Sequence, residues 1–188
     1  MRLFRFLLPL LIPLVAMLPA CAPGRDLAPL PPADVADYRL GPGDAVRIIT
    51  FGEESLTGEF RVSDSGSIAL PLVGPVRASG STPAALESRV AAAMKRANLL
   101  RNPSVAVEVI LYRPIYVLGE VNKPGQYPYQ PGMTVVTAAA VAGGFTYRAV
   151  DAYASVVRSS GGEAVEGKAS RHASVQPGDV ITVFERRF

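Results

Sequence analysis

Apolar and polar residues alternate in several short stretches of this chain, and such alternation is typical of β-strands with one buried face. The clearest case is residues 45–51, where Val46 and Ile48 share one face while Arg47 and Ile49 share the other. Further stretches rich in branched and aromatic residues predict strands at residues 58–62, 67–70, 104–112, 115–121, 126–129, 152–158, 163–166 and 180–184.

Three details of these strands are expectations that a structure can test. Residues 71–76 are apolar but interrupted by proline and glycine, which predicts an edge strand or a bulge. The strand at 180–184 is expected to close the second sheet. In the strand at 104–112, alternation predicts one shared face for Val105, Val107, Val109 and Leu111.

The chain also contains two helix patterns with recognisable ends. Thr82 and Pro83 suit a capping residue and a first helical residue, and an apolar stripe at Leu86, Val90 and Met94 follows, with Asn98 at the end. Thr134 begins a second helix that runs to Ala142, where Gly143 and Gly144 stop it. Short strands around one helix in each half predict an α+β fold of two small mixed α/β domains, at residues 37–112 and 113–188.

Pro-Gly pairs mark the turns between these elements. Pro42-Gly43 and Pro177-Gly178 are each followed by an aspartate, Asp44 and Asp179. We expect both carboxylates to accept hydrogen bonds from local backbone N–H groups. The repeated Pro-Gly-Asp is interpreted as the same kind of turn used twice and not as the result of a gene duplication.

Length, apolar content and net charge limit the classes of function that this chain can have. With 188 residues and 49% apolar side chains, the chain can bury the cores of one or two small domains. The formal net charge of +3 includes Arg2 and Arg5 in a segment that we expect to be removed, which leaves 17 basic and 16 acidic side chains, a net charge of +1. No cluster of lysine and arginine stands out in the sequence, so it has no electrostatic footprint for nucleic-acid binding.

The N-terminus has the plan of a secretory signal peptide, residues 1–20. Arg2 and Arg5 precede an apolar run at 6–18, which is shorter than the roughly 20 residues of a membrane span. The run Leu-Pro-Ala-Cys at 18–21 resembles a bacterial lipobox, which predicts cleavage after Ala20 and lipid attachment at Cys21. An ordinary signal with a chance cysteine and an uncleaved anchor are the alternatives.

The residues next to Cys21 bear on localisation and on spacing. In the lipobox pattern, an aspartate directly after the cysteine favours the inner membrane, so Ala22 favours the outer membrane. Residues 21–36 are rich in proline and alanine, which predicts a semi-rigid tether that holds the folded part off the membrane.

Enzyme chemistry finds little support in the sequence. The single histidine, His172, lies in a polar stretch and is interpreted as a surface residue. Because the one cysteine is assigned to lipid, no Cys/His metal cluster is available, and we expect neither a metal nor a cofactor. No nucleophile-elbow pattern is present. The acids nearest to one another are interpreted as solvated surface: Glu53, Glu54, Glu59 and Asp64.

Tyrosine is the remaining residue type of interest, because it combines a flat apolar face with a polar tip. Tyr127 and Tyr129 point the same way from a predicted strand and are candidates for a contact surface. Tyr116 is expected to pack in the core.

Two blocks of motifs carry a family resemblance. The run YRPIYVLGEVNKPGQYPYQPGMTV at 112–135 with AGGF at 142–145 resembles an SLBB domain, a β-grasp-like module. YRLGPGD at 38–44, SDSGSIALPLVG at 63–74 and NPSVAVEV at 102–109 resemble a polysaccharide export domain. In this order they resemble bacterial outer-membrane polysaccharide export lipoproteins. The matching signature positions are Gly41, Gly43, Asp44, Gly66, Pro71, Gly74, Pro103, Arg113, Gly119, Pro124, Gly125, Gly143 and Gly144.

The resemblance implies a function without catalysis. It implies a lipid-anchored protein at the periplasmic face of the outer membrane, part of a machine that exports capsule or exopolysaccharide. It further implies a ring of identical subunits through which the polymer passes, and an inner-membrane polysaccharide co-polymerase as partner. In the best-known capsule exporters a further domain and a pore-forming helix follow, so we expect a separate outer-membrane channel here. The alternatives are a periplasmic module that binds a glycan or small ligand, and an enzyme acting on cell-wall sugars.

Overall fold

A computed structural model describes residues 23–32, 38–160 and 163–186. The predicted signal peptide, Ala20 and Cys21 lie outside the described residues. Along the chain the elements are β1 (Ala45–Thr50), a 3₁₀ turn (Glu54–Leu56), β2 (Gly58–Arg61), β3 (Ser67–Leu70), β4 (Gly74–Arg77), α1 (Pro83–Arg96), β5 (Val105–Leu111), β6 (Ile115–Gly119), β7 (Gly125–Tyr127), α2 (Val135–Val141), β8 (Tyr153–Ser160), β9 (Glu163–Ser170) and β10 (Val180–Val183). The mixed α+β architecture is the predicted one.

The first group of elements packs around its own apolar core. An antiparallel sheet in the order β2-β1-β5 and the hairpin β3-β4 surround α1. As alternation predicts, Val46 and Ile48 are fully buried while Arg47 is exposed. The α1 stripe is also buried against the sheet, at Leu86, Val90, Ala93 and Met94. The core thus forms from the faces that the sequence pattern predicted to be buried.

The ends of α1 follow from local chemistry. The Thr82 hydroxyl accepts a hydrogen bond from the Ala85 N–H at 3.2 Å, and Pro83 opens the helix. Asn98 has a φ of 55°, so the chain leaves the helix through the left-handed region. The predicted cap and the predicted end are both confirmed.

The prediction for Leu111 was wrong. The β1–β5 register shifts between Ala45 and Val46, so Val46 faces Val109 and Ala45 faces Leu111. The irregularity leaves Leu111 52% exposed, whereas Val105, Val107 and Val109 pack against the core. The alternation of buried and exposed side chains therefore holds as far as Val109 and fails at Leu111, the last residue of β5.

The second group is a five-stranded sheet in the order β7-β6-β10-β8-β9, with α2 packed on it. β10 lies in the middle: it runs parallel to β6 and antiparallel to β8, although the sequence placed it as the closing strand. Thr134 and Thr137 form a capping box at the start of α2, and Gly143 and Gly144 end it with φ values of 84° and 85°. Both helix ends were predicted.

Tyr116 does not lie in the core, contrary to expectation. It alternates with Ile115 and Val117, both fully buried, and therefore points to the outer face, where it is 41% exposed. In the described part of the chain, no helix is long and apolar enough to cross a membrane.

Residues 23–32 pack against the second sheet and do not extend away from it as a free spacer. The Lys168 N–H donates to the Ala28 carbonyl at 2.8 Å, and the Leu30 N–H donates to the Lys168 carbonyl at 2.9 Å. Leu30 also packs against the apolar core, beside Gly167. The edge of β9 offers unpaired backbone groups, which the proline-rich segment satisfies.

Candidate functional site

Two Pro-Gly-Asp turns meet where the two groups of elements join. In the first turn, residues 41–44, Asp44 is fully buried and its Oδ2 accepts the Gly41 N–H at 2.7 Å. In the second turn, residues 176–179, Asp179 is 1% exposed and its Oδ2 accepts the Gln176 N–H at 2.8 Å. The predicted bonds from aspartate to local backbone are confirmed in both turns.

Each aspartate also has an arginine partner that sequence reasoning missed. Arg158 donates from Nε to Asp179 Oδ1 at 3.0 Å and from Nη2 to Oδ2 at 2.7 Å, a bidentate pair. The backbone N–H of Arg113 donates to Asp44 Oδ1 at 2.8 Å, and its Nη1 lies 3.5 Å from Oδ2. These partners lie 21 and 69 residues away in sequence, so no local pattern reveals them.

Arg113 connects the two turns. Its guanidinium faces Asp44 of the first turn, while its Nε donates to the Pro177 carbonyl of the second at 2.9 Å. Glycines let the side chain pass: a Cβ on Gly41 would overlap Nη1, and one on Gly178 would lie 2.9 Å from Nε. Gly41 and Gly178 thus form a cradle for one arginine between the two domains.

Aromatic side chains extend this junction. The Tyr38 hydroxyl donates to Asp44, and the Arg113 Cζ lies 5.9 Å from the centre of the Tyr38 ring. Tyr38, Tyr112 and Tyr129 follow one another edge to face, with ring centres 5.1 and 5.4 Å apart. Burial, and then the hydrogen bond to Asp44, raise the pKa of Tyr38, and burial raises the pKa of Tyr129.

A cleft of about 870 Å³ opens beside the junction, and we call it the interdomain cleft. Its walls are the segment 38–42, the end of β4 with the turn that follows it, Ser159, and the second turn. The charged and polar side chains that line it are Arg39, Arg77, Arg113, Ser79, Ser159 and Gln176. Among the described residues of this lining, no side chain is acidic.

The other signature positions are mostly structural turns away from the cleft. Gly66, Gly74 and Gly119 have positive φ and lie in a turn or at the end of a strand. Pro71, Pro103 and Pro124 lie in connections between elements, and Gly125 begins β7. Among the signature positions, Gly41, Gly43, Asp44 and Arg113 are therefore the ones at the junction.

Tyr127 and Tyr129 are half-buried against the core of the second domain. The Tyr127 hydroxyl donates to the Lys123 carbonyl at 2.5 Å, and Tyr129 packs on Tyr112. Their role as a contact surface stays a prediction for the part of each ring that is exposed.

The acids and the histidine do not converge. Arg47 pairs with Glu59 at 2.8 Å on the surface, and Glu54, Asp64 and His172 are exposed. Over residues 23–32, 38–160 and 163–186, no three histidine, cysteine or acidic side chains cluster as a metal site would require.

Comparison with known proteins matches both parts of the chain to families. Residues 32–110 match the model of polysaccharide biosynthesis/export proteins, and residues 114–169 match the SLBB domain. The exopolysaccharide production protein ExoF of Rhizobium meliloti is 37% identical over 119 residues, which cover 57% of this chain and 28% of ExoF.

Two further relatives are named for transport or export. The polysialic acid transport protein KpsD of Escherichia coli is 33% identical over 93 residues, which cover 48% of this chain and 16% of KpsD. The EPS I polysaccharide export outer membrane protein EpsA of Ralstonia solanacearum is 30% identical over 177 residues, which cover 79% of this chain and 46% of EpsA. The chain spans less than half the length of these three relatives.

Proposed function

Because the chain belongs to the polysaccharide export protein family, with an export domain followed by an SLBB domain, we propose that it is a lipid-anchored component of a polysaccharide export machine. Cys21 carries the lipid, and the two domains stand at the periplasmic face of the outer membrane. The observation that carries the proposal is the succession of both domains in one chain whose relatives are named for exopolysaccharide production, transport and export.

The junction supports a structural role over a catalytic one. Arg113 bonds groups of both turns, and a row of three tyrosines spans the same boundary. Partly buried, charge-assisted hydrogen bonds of this kind hold two small domains in a fixed relation. A fixed relation is what a subunit of a multi-copy conduit needs.

Sheet edges support assembly into a ring of identical subunits that encloses the polymer. β2 and β5 border the first sheet, and β7 borders the second, so within the described residues each domain has edge strands without a strand partner on one side, where a neighbouring copy can pair. An inner-membrane polysaccharide co-polymerase and an outer-membrane channel complete the proposed route.

The test is where the polymer goes in a strain that lacks this protein. Polysaccharide is quantified in the medium, on the cell surface and in the periplasm, with the wild-type chain and the Cys21→Ser variant supplied in trans. We expect surface polymer to fall on deletion and to return with the wild-type chain only. Unchanged surface polymer, in a strain that also lacks any second copy of the gene, would contradict the proposal.

A second candidate is a periplasmic binding module without a part in export. The interdomain cleft favours it, because a concave site with several convergent polar groups is typical of ligand binding. A chain that stays monomeric at the membrane and whose deletion leaves export intact would be this module.

A further inference from the structure

Arg158 is a buried arginine on β8 that bonds three separate parts of the chain. It is 8% exposed, and besides its bidentate pair with Asp179 its Nη2 donates to the Ser174 carbonyl at 3.1 Å. Its Nη1 donates to the Pro31 carbonyl at 3.4 Å, near the end of the segment 23–32. One planar guanidinium therefore holds the N-terminal segment, the loop before the second turn and the turn itself.

The second turn joins Arg158 to the domain junction. Asp179, the partner of Arg158, also closes this turn by accepting the Gln176 N–H at 2.8 Å. The next residue of the turn, Pro177, accepts the Nε of Arg113 at 2.9 Å with its carbonyl. A shift of Asp179 therefore moves the backbone group that holds Arg113.

Two further contacts make this connection continuous from one domain to the other. The Gly178 N–H of the turn donates to the Pro114 carbonyl at 3.0 Å, directly beside Arg113. The Arg113 N–H donates in turn to Asp44 Oδ1 of the first domain at 2.8 Å. Since each step is a hydrogen bond between neighbouring groups, one contiguous network joins the segment 23–32 to the first domain.

The segment 23–32 is attached to the sheet more weakly than the strands are attached to one another. Four of its ten residues are prolines, which have no N–H to donate. Its backbone pairs with β9 through two hydrogen bonds at Lys168, and Leu30 packs against the core. A segment held in this way opens at a lower free energy than the sheet beneath it.

We propose that Arg158 couples the segment 23–32 to the junction of the two domains: when the segment leaves the sheet, the second turn loosens its hold on Arg113. The state of the segment then sets how firmly the two domains are held together. This coupling goes beyond the function proposed above and does not depend on whether the chain takes part in export. If Cys21 carries lipid, a displacement at the anchored end of the chain reaches the export domain along this path.

The coupling arises because the segment helps to shield the Arg158–Asp179 pair from water. Asp179 is 1% exposed, and hydrogen bonds between charged groups are strongest where water is excluded. Without the segment, Nη1 loses the Pro31 carbonyl and becomes accessible to water. The pair then fixes the second turn less firmly, and the turn fixes Arg113 less firmly.

Amide hydrogen exchange of the purified full chain, resolved to single residues by NMR, tests the coupling. Leu30→Ser releases the segment by removing its packing on the core, and the Lys168 amide, which donates to Ala28, reports the release. The readout is exchange at the Gly178 and Arg113 amides, which we call the junction amides. We expect the junction amides to exchange about fivefold faster in Leu30→Ser than in the wild type.

Two controls show whether the effect is specific. Ala28→Ser introduces the same new residue at an exposed position of the segment and should leave all these amides unchanged. The Lys123 amide donates to the Ala142 carbonyl at 2.8 Å, in the second domain but outside the network, and should stay unchanged in Leu30→Ser. Equal acceleration at Lys123 and at the junction would show a general loosening of the domain and would overturn the proposal.

Arg158→Lys identifies the route. Lysine keeps the positive charge but lacks the planar fork that reaches Asp179 and Pro31 together. The junction amides should already exchange faster in Arg158→Lys, and adding Leu30→Ser should accelerate them no further. Residues 33–37 also connect the segment to the first domain along the chain. If Leu30→Ser keeps its full effect in the double variant, the coupling follows that connection and not Arg158, which overturns the proposal.

Gly167→Ala releases the segment in a second way, because its Cβ would lie 2.7 Å from the Leu30 Cα, and it should reproduce the pattern of Leu30→Ser. Should Arg158→Lys fail to unfold cooperatively in urea, the contrast between the junction amides and Lys123 in Gly167→Ala still decides. Unchanged junction amides in a chain whose Lys168 amide exchanges faster would overturn the proposal. So would a Lys168 amide that stays slow in both release variants, since the segment would then not be a separable element.

Discussion

Asp44 and Asp179 occupy the same position in two similar turns, yet their charges are compensated differently. Asp179 faces a bidentate arginine, Arg158, that is itself buried. Asp44 relies on backbone N–H groups and the Tyr38 hydroxyl, while the guanidinium of Arg113 lies at the longer distance of 3.5 Å. The first turn therefore leaves part of its arginine facing the cleft.

Replacing Asp44 by Asn should destabilise the chain by about 2–3 kcal/mol, because the amide cannot accept every hydrogen bond that the carboxylate accepts. Urea unfolding of the full chain measures the loss. Asp64→Asn, at an exposed aspartate of the same domain, should change stability by less than about 0.5 kcal/mol. Similar unfolding midpoints for the two variants would contradict the role given to Asp44.

The raised pKa of Tyr38 predicts how the stability of the chain changes at alkaline pH. Burial and the Asp44 hydrogen bond raise its pKa above the usual value of 10.0 in the folded chain, whereas in the unfolded chain it ionises near that value. The folded state then keeps a proton that the unfolded state loses, so this stabilisation is complete below pH 10 and is lost as the pH rises further.

Stability measured between about pH 9 and 11 should fall less steeply in Tyr38→Phe than in the wild type, by up to about 1 kcal/mol per pH unit. Tyr147→Phe is the control, since Tyr147 is 89% exposed. An unchanged slope in Tyr38→Phe would show that the phenol is not held protonated.

At the scale of elements, the parallel pairing of β6 with β10 depends on one glycine. Gly119 ends β6 with a φ of 80°, and its partner in the parallel register is Val183 of the central strand. A Cβ there would overlap the Val183 carbonyl oxygen, which also accepts the Glu120 N–H at 3.0 Å. The close approach of two backbones requires glycine at this point.

Gly119→Ala and Gly74→Ala form a matched pair, because both glycines have positive φ but Gly74 has open space where a Cβ would be. Gly74→Ala should cost about 1–2 kcal/mol from backbone strain alone. Gly119→Ala should cost a further 1–3 kcal/mol, roughly, from the clash with β10. Thermal unfolding compares the two, and equal losses would mean that β10 moves aside freely.

Most elements were predictable because their signals are local. The caps at Thr82 and Thr134 and the glycines after α2 act within one helical turn, and alternation in β1 reports its buried face directly. The errors at Leu111 and at β10 depend on register and strand order, which arise from pairing between distant segments. For the same reason the Pro-Gly-Asp turns could be read from the sequence, but Arg113 and Arg158 as their partners could not.

At the scale of the whole molecule, the segment 23–32 forms a further set of contacts with the second domain. It crosses the second domain from Pro23, whose carbonyl accepts the Tyr153 hydroxyl at 2.9 Å, to Pro31, whose carbonyl lies 3.4 Å from the Arg158 Nη1. Composition predicted a spacer, because proline-rich runs lack a hydrophobic period; the sheet edge that accepts the run is formed by residues far along the chain.

Gly167→Ala should release this segment, since the new Cβ would lie 2.7 Å from the Leu30 Cα. Hydrogen exchange should become faster at the Lys168 amide, which donates to Ala28, and across residues 23–32. Ala164→Val, at an exposed position of the same strand, should leave that exchange unchanged. Unaltered exchange in Gly167→Ala would mean that the segment tolerates the side chain.

The attachment of Pro23 to Tyr153 also fixes an orientation. Cys21 precedes Pro23 by two residues, and two residues span at most about 7 Å. If Cys21 carries the proposed lipid, Pro23 lies close to the bilayer, and its hydrogen bond to Tyr153 holds the second domain there with it. The distance between the membrane and this domain is then set by the contacts of residues 23–32 and not by the length of a free tether.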